Sequence, residues 1–212
     1  MHGHGIVHGD LKGVCVCTSC ARLRCPKDNI LVDNDERAVL ADFSLITLIP
    51  DKSTFVSTCL QGGTVRWMSP ELIDPEICGL EGCCPTRESD CYALGMVIYE
   101  ILSGCAPYDT NNPFAILRRV LAGERPKRPE GEAGKWFSDN IWDVVELCWK
   151  HRPDGRPDAK AVLLALEGKP YQLRSSDVNE DDVESDVDID GQLDSMTNDP
   201  CMFSPSLFQA SS

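Results

Sequence analysis

The stretch from about Glu88 to Ser103 constrains the fold more than any other part of the chain. Its residues are apolar almost all the way round when they are placed at helical spacing. A helix that is apolar on every side is buried inside a protein, whereas a surface helix has one polar face. Gly104 follows as a C-terminal stop, because glycine readily adopts the left-handed conformation that ends many helices. We therefore expect a central buried helix on which the other elements pack.

Shorter elements are predicted on both sides of this helix. Apolar residues recur at helical spacing in three later segments, near residues 114–121, 142–149 and 159–166. Two β-type runs, Asn29–Val32 and Ala38–Ala41, flank a turn-rich connection and predict a β hairpin. The sequence thus favours a mainly α (α+β) fold with one short hairpin.

Four polar residues in the first part of the chain fit one chemistry. Phosphoryl transfer uses a carboxylate that orients an attacking hydroxyl, a cation near the transferred group, and oxygen ligands that hold magnesium. Asp10 can supply the carboxylate and Lys12 the cation, while Asn29 and Asp42 can supply the oxygen ligands. Short motifs recur by chance, so His8–Lys12 alone fits a solvated turn as well.

The order of the motifs resembles that of protein kinases. Val7–Lys12 with Asn29 resembles the kinase catalytic loop, and Asp42-Phe43 resembles the metal-binding motif. Further matching motifs follow in family order: Gly63–Met68 leading into Ser69-Pro70-Glu71, then Ser89–Gly95, Cys148-Trp149 and Gly155-Arg156-Pro157. The chain therefore resembles the large, C-terminal lobe of a kinase of the tyrosine-kinase-like group.

The resemblance implies roles for the residues of the catalytic loop. Asp10 corresponds to the catalytic base, and Asn29 and Asp42 correspond to the magnesium ligands. Lys12 stands near the transferred phosphate, as in Ser/Thr kinases, and Thr64 contacts the base and this lysine. The implied reaction is transfer of the γ-phosphate of ATP, with Mg, to Ser or Thr of a protein substrate.

Three structural residues are also implied. Asp90 corresponds to the aspartate that braces the catalytic loop. Glu71 and Arg156 correspond to a buried salt bridge that ties the substrate loop to the end of the domain.

Two departures from the family pattern affect regulation. Gly9 replaces an arginine that in many kinases pairs with a phosphate on the activation loop. The hydroxyls of that loop are therefore interpreted as ordinary loop side chains rather than phosphate acceptors: Ser53, Thr54, Ser57 and Thr58. Ser44 replaces the glycine of the metal-binding motif, so the backbone freedom of that glycine is lost.

An insertion separates the base from the first metal ligand. Eighteen residues lie between Asp10 and Asn29, and removal of the fourteen from Val14 to Lys27 restores the family spacing of four. This segment has four cysteines, three basic residues and no acidic residue, a composition foreign to the rest of the chain. We interpret it as an insertion, such as a retained intron that is translated in frame. We expect a floppy surface loop that moves Asn29 off its link to the base. A zinc site on the compact cluster Cys15, Cys17, Cys20 and Cys25 is the alternative.

No glycine-rich loop, strand lysine or helix glutamate of a small lobe precedes Val7. We therefore expect the large lobe alone, inactive by itself because ATP would have only half a site. Two alternatives to an enzyme remain open. One is a pseudokinase-like interaction module that binds kinase partners, and the other is a misassembled kinase fragment that exposes an apolar face.

Charge divides the chain into two parts. The net charge is −14, and ten of the 34 acidic residues but no Lys or Arg follow Ser175. We predict a kinase domain over residues 1–170 and a disordered acidic tail over residues 171–212, because the tail has too few apolar residues to bury. The nearly balanced body has no basic stripe for nucleic acid.

Other sequence features bear on location. The start of the chain lacks a secretory signal, and the longest apolar run, Cys91–Leu102, is too short to span a membrane and contains Glu100. Twelve cysteines without a signal indicate reduced thiols. These features predict an intracellular, cytoplasmic protein with no membrane partner.

Overall fold

The structure of the protein is a computed structural model that describes residues 1–15, 29–33, 35, 37–42, 63–80, 82 and 84–170. Its helices are α1 Pro70–Ile73, α2 Arg87–Ser103, α3 Pro113–Leu121, α4 Gly131–Gly134, α5 Asp139–Cys148 and α6 Ala159–Leu166. Its strands are β1 Val14–Cys15, β2 Ile30–Val32 and β3 Ala38–Leu40. Single 3-10 turns occur at His2–His4, Thr64–Arg66, Pro75–Cys78 and Pro153–Gly155. The mainly α fold with a short hairpin is confirmed.

The three strands form one small sheet in the order β1-β2-β3. β2 and β3 are antiparallel, with Ile30 opposite Leu40 and Val32 opposite Ala38, as the hairpin prediction requires. β1 pairs in parallel with the other edge of β2. The prediction of a floppy loop is therefore wrong for β1, because its backbone pairs with N–H and C=O groups that would be unpaired at the edge of β2.

The central helix α2 confirms the buried helix predicted from the apolar pattern. Thr86 caps its N-terminus in a capping box with Ser89, where each side chain accepts from the backbone N–H of the other residue. Gly104 ends it with a φ of 69°. Tyr92 and Met96 are fully buried, and Glu100, the one acid near its C-terminal end, accepts a hydrogen bond from Trp67 Nε1 at 3.2 Å.

The main core lies between α2 and the helices packed on it. Its buried side chains come from every helix that is longer than one turn, and they include Met96, Ile116, Val120, Val145 and Val162. Helices α2 and α5 approach closely at Gly95, where a Cβ would lie 2.7 Å from the Cβ of Cys148. Glycine at this position therefore allows the two backbones to come together.

The later helices begin at polar caps. Asn112, Ser138 and Asp158 each accept a hydrogen bond from a backbone N–H of the first turn of α3, α5 and α6 respectively. α5 begins at Asp139, earlier than predicted, because its first turn is polar and lacks the apolar spacing used to find it. The short helices α1 and α4 were not predicted, since one turn gives no periodic signal.

Several predictions fall outside the residues that the structure describes. They are the remainder of the insertion from residue 16, the metal-binding motif after Asp42, the activation loop through residue 62, and the tail from residue 171. Within the described ranges, no helix combines the length and apolar character that crossing a membrane requires.

Candidate active site

The N-terminal end of α2 holds the loop that carries Asp10. The buried carboxylate of Asp90 accepts hydrogen bonds from the backbone N–H groups of His8, at 2.7 Å, and Gly9, at 2.8 Å. His2 Nε2 lies 2.9 Å from the same carboxylate. Two backbone donors on one carboxylate fix the course of the loop.

Asp10 is surrounded unequally at its two carboxylate oxygens. Its Oδ2 atom lies 2.9 Å from Lys12 Nζ and accepts a hydrogen bond from Asn29 Nδ2, also at 2.9 Å. Its Oδ1 atom is buried and has no hydrogen-bond partner among the described residues. Buried polar atoms nearly always have a partner, so an orphaned carboxylate oxygen indicates a functional position.

Asn29 stays against Asp10 despite the insertion. In addition to the Oδ2 contact, its side-chain Nδ2 donates to the backbone oxygen of Asp10 at 2.5 Å, and its backbone N–H donates to Lys12 O at 3.1 Å. The expectation that the insertion moves Asn29 off its link to the base is therefore wrong. The two ends of the insertion meet because Val14 pairs with Ile30 in the parallel strands.

Asp42 lies two residues beyond the end of β3 and adopts an uncommon backbone conformation. Its φ is 61°, in the left-handed region that Asp enters more readily than most residues. Ala41, the residue before it, donates its N–H to Asn29 O at 2.9 Å. The hairpin therefore brings the backbone of Asp42 next to Asn29. Such conformations concentrate at functional sites, because the surrounding structure must hold them.

His8 connects the loop to the end of β3, a role that the sequence did not suggest. Its Nδ1 atom accepts from Asp10 N at 3.3 Å, so its hydrogen is on Nε2, which donates to Ala41 O at 3.0 Å. The ring is completely buried. The position of His8 two residues before Asp10 could have singled it out in the sequence, but nothing in the sequence paired it with Ala41.

The described segment that begins at Gly63 contacts the site through Thr64. Lys12 Nζ donates to Thr64 Oγ1 at 3.1 Å, so Lys12 links Thr64 to Asp10. Arg66, which the sequence did not single out, anchors this segment. Its guanidinium donates to the backbone oxygens of Pro107, Tyr108 and Thr110 and to Asn111 Oδ1.

Glu71 and Arg156 form a buried salt bridge. The two guanidinium nitrogens lie 2.6 and 2.7 Å from the two carboxylate oxygens, and both side chains are almost fully buried. A bidentate pair of this kind has defined geometry as well as charge. It ties the first turn of α1 to the segment before α6.

Cys91 is a buried side chain at the foot of the site. Cys91 follows Asp90 in the buried first turns of α2, and burial, with the neighbouring acids, raises the pKa of its thiol to about 12. The thiolate is the reactive form of cysteine, so this side chain acts as a small apolar group.

The family of the chain follows from comparison with known proteins. The family model for protein tyrosine and serine/threonine kinases matches residues 24–166. MAP3K epsilon protein kinase 2 of Arabidopsis thaliana is 30% identical over 178 residues, which cover 83% of this chain and 11% of that protein. Serine/threonine-protein kinase mos of Patiria pectinifera is 29% identical over 171 residues, which cover 78% of this chain and 42% of that protein.

The chain belongs to the family of protein tyrosine and serine/threonine kinases, because this match covers more than half of its length. Both relatives are protein kinases by name, and the Patiria protein is named a serine/threonine-protein kinase. The described α-rich structure is that of a kinase large lobe. The chain spans about a tenth of the length of the Arabidopsis protein and less than half of the Patiria protein.

Proposed function

We propose that this chain carries the large-lobe half of a site that transfers the γ-phosphate of ATP to serine or threonine hydroxyls of proteins. The observation that supports this most directly is the unequal environment of Asp10. Its Oδ2 atom is held by Lys12 and Asn29, whereas Oδ1 has no partner within the described ranges. A carboxylate that is held in position through one oxygen, and whose other oxygen has no partner, is suited to act as a general base.

In this proposal Asp10 orients the substrate hydroxyl and takes its proton through Oδ1 as the hydroxyl oxygen attacks the γ-phosphorus of ATP, whose bond to the bridging oxygen breaks as ADP leaves. Lys12, on the other carboxylate oxygen, places a positive charge where negative charge develops on the transferred group. Thr64 accepts the hydrogen bond of Lys12 and so restricts where that charge lies. Positioning and charge stabilisation of this kind provide most of the catalysis of phosphoryl transfer.

The oxygen atoms near the loop fit magnesium. Asn29 uses its amide nitrogen on Asp10, which leaves the amide oxygen as its ligand atom, and Asp42 contributes a carboxylate. Mg²⁺ prefers oxygen and is usually bound by one or two protein groups together with substrate phosphates, whose charge it neutralises. No three His, Cys, Asp or Glu side chains cluster into a metal site in the described part. Asn29 and Asp42 would therefore hold the ion together with the phosphates of ATP.

Thermal unfolding with and without Mg-ATP tests this proposal. A ligand that binds only the folded protein raises its stability, so we expect the melting temperature to rise with the concentration of Mg-ATP. Asp42→Ala removes one metal ligand and should abolish the rise. Alanine tolerates the left-handed φ of 61° at this position less well than aspartate does, so the rise is measured from the variant's own melting temperature without ligand.

The matched control is Asp35→Ala, which removes another exposed aspartate of the same hairpin. It should melt like the parent chain and keep the full response to Mg-ATP. An unchanged melting temperature at millimolar Mg-ATP would contradict the proposed nucleotide site. An equal response in the Asp42→Ala variant would contradict the role of that carboxylate.

A non-catalytic interaction module is the second candidate, and Gly9 favours it. Gly9 contributes only a backbone N–H to Asp90 and has no side chain to pair with a phosphorylated activation loop. A chain of this kind would retain the kinase fold as a binding surface, and the absence of any response to Mg-ATP would support this second candidate.

We further propose that the kinase domain ends near residue 170, where the composition becomes acidic after α6.

A further inference from the structure

A groove on the side of α5 lies outside the candidate active site. It has a volume of about 460 Å³ and is open to solvent. One wall is the segment from Gly123 to Lys127, after α3, and the other is the end of α5 with Lys150 and His151. Trp142 and Trp149 line it between these walls. We call this the basic groove, and its volume lies in the range of common ligand sites.

The charges of the basic groove differ from those of the whole chain. Arg125, Lys127 and Lys150 line it, against the single acid Glu146, in a protein whose net charge is −14. Lys127 and Lys150 are exposed and form no salt bridge with any residue that the structure describes. Arg119 and Arg128, by contrast, each pair with an acid. The two lysines are therefore available to a negatively charged partner.

The aromatic residues of the groove favour a peptide over a nucleic acid. Trp142 packs edge-on against Phe137 and Trp149, at 5.7 and 5.6 Å between ring centroids, and the guanidinium of Arg128 lies over its ring at 5.9 Å. Trp149 is almost fully buried. Base stacking requires an open ring face, and strong nucleic-acid binding requires many cations along a backbone. Glu146 further opposes a uniformly charged polyanion.

We propose that the basic groove binds an acidic segment of a protein partner. Carboxylates of the segment pair with Lys127 and Lys150, and its apolar side chains contact the exposed part of Trp142. Complementary charge accelerates association and selects the partner, while apolar contact in the groove provides much of the affinity. This proposal is independent of phosphoryl transfer, because none of these residues contacts Asp10 or its neighbours within the described structure.

The test is a binding titration by fluorescence anisotropy. The probe is a short fluorescein-labelled peptide in which Asp and Glu alternate with Leu and Phe. We expect saturable binding that weakens as salt is raised, and a loss of affinity of about tenfold or more in Lys127→Glu/Lys150→Glu, since two attractions become repulsions. A peptide with Asn and Gln in place of the acids should bind the parent chain more weakly than the acidic peptide does, because it lacks the two attractions, and the acidic peptide should bind the variant more weakly still.

The control variant is Arg87→Glu/Lys160→Glu, which has the same change in charge at two exposed positions outside the groove. It should bind the acidic peptide nearly as the parent chain does, and the circular dichroism of both variants should match the parent. Equal loss in the control, no loss in the groove variant, or no saturable binding would overturn the proposal. Equally tight binding of single-stranded DNA would replace it with a general polyanion site.

Discussion

At the scale of single residues, Arg156 connects more of the molecule than any other side chain described above. Besides the two bonds to Glu71, its guanidinium donates to the backbone oxygens of Glu88, Lys150 and His151. All five of its N–H groups are thus used, and its carbon lies 5.0 Å from the centre of the Tyr92 ring. One buried cation therefore joins α1, the start of α2 and the segment after α5.

Glu71→Gln should destabilise the protein strongly. Removal of one charge from a buried pair leaves the other uncompensated, at a cost on the order of 3–5 kcal/mol. We expect this loss in the free energy of unfolding from urea denaturation followed by tryptophan fluorescence. Glu132→Gln, which breaks the exposed pair with Lys135, should change it little. Equal effects of the two variants would show that burial of the Glu71 pair has no energetic importance.

His151 should make the stability of the protein sensitive to mild acid. Burial lowers the pKa of its imidazole, and the charges of Arg125 and Arg156 lower it further. Below the ordinary histidine pKa of about 6.5, the unfolded chain then binds more protons than the folded chain. The free energy of unfolding should therefore fall as the pH is lowered from about 7 to about 5.

The contribution of His151 is measured by urea denaturation at a series of pH values. His151→Gln should lessen the fall in stability toward low pH, because the group that protonates on unfolding is gone. His4→Gln changes an exposed histidine and should follow the parent curve. Parallel curves for the parent and His151→Gln would refute the prediction.

At the scale of elements, the crossing of α2 and α5 depends on a single missing methyl group. Gly95→Ala would place a Cβ 2.7 Å from Cys148 Cβ, closer than real Cβ contacts. Overpacking of a core typically costs about 1–3 kcal/mol, more than the helix propensity that alanine gains. We expect a lower melting temperature, whereas Gly82→Ala, with open space around it, should have almost none of this effect.

The insertion is the second feature at this scale, and its removal should be tolerated. Deletion of residues 14–27 joins Gly13 to Asp28, close to where Asn29 N–H already bonds Lys12 O at 3.1 Å. We expect the shortened chain to keep a cooperative thermal transition and the Asp10–Asn29 contact. The contact would be visible as an unchanged Asn29 side-chain amide resonance in nuclear magnetic resonance spectra.

An equally long deletion elsewhere provides the comparison. Removal of residues 124–137 takes out Arg125, which bonds Trp149 O, and the buried Phe137, so that chain should not fold. If the 14–27 deletion also abolished the transition, the insertion would be an integral part of the fold. The parallel pairing of β1 would then be essential rather than an addition to the edge of β2.

At the scale of the whole molecule, α2 supports both the site and the core. Asp90 at its start holds the loop before Asp10, its middle packs on α5, and Glu100 near its end accepts a hydrogen bond from Trp67. Site geometry and global stability therefore share one element, as expected where a rigid scaffold positions functional loops.

Local patterns in the sequence predict much of this architecture. The apolar run and Gly104 predict α2, and the turn-rich connection predicts the hairpin, because both signals lie within a few neighbouring residues. β1 could not be found in this way. A two-residue parallel strand has no pattern of its own, and its partner Ile30 lies beyond the insertion.

The candidate site depends on contacts between distant residues, which spacing alone cannot provide. Glu71 and Arg156 are 85 positions apart, and their pairing was expected only from the resemblance to kinases. The bonds of Arg66 to Pro107, Tyr108 and Thr110, and of His8 to Ala41, had no sequence signal, since they end on backbone oxygens that every residue carries. Such contacts follow from the packing of the elements.

The hydrogen bond between Lys12 and Asn29 makes the loop between them a site where further residues can be inserted. This bond holds the two ends of the loop together whatever the length of the segment between them. Each doubling of the length of a flexible loop costs only about 0.6 kcal/mol. A reporter domain inserted between Cys15 and Asn29 would therefore lie beside the candidate active site without separating Asp10 from Asn29.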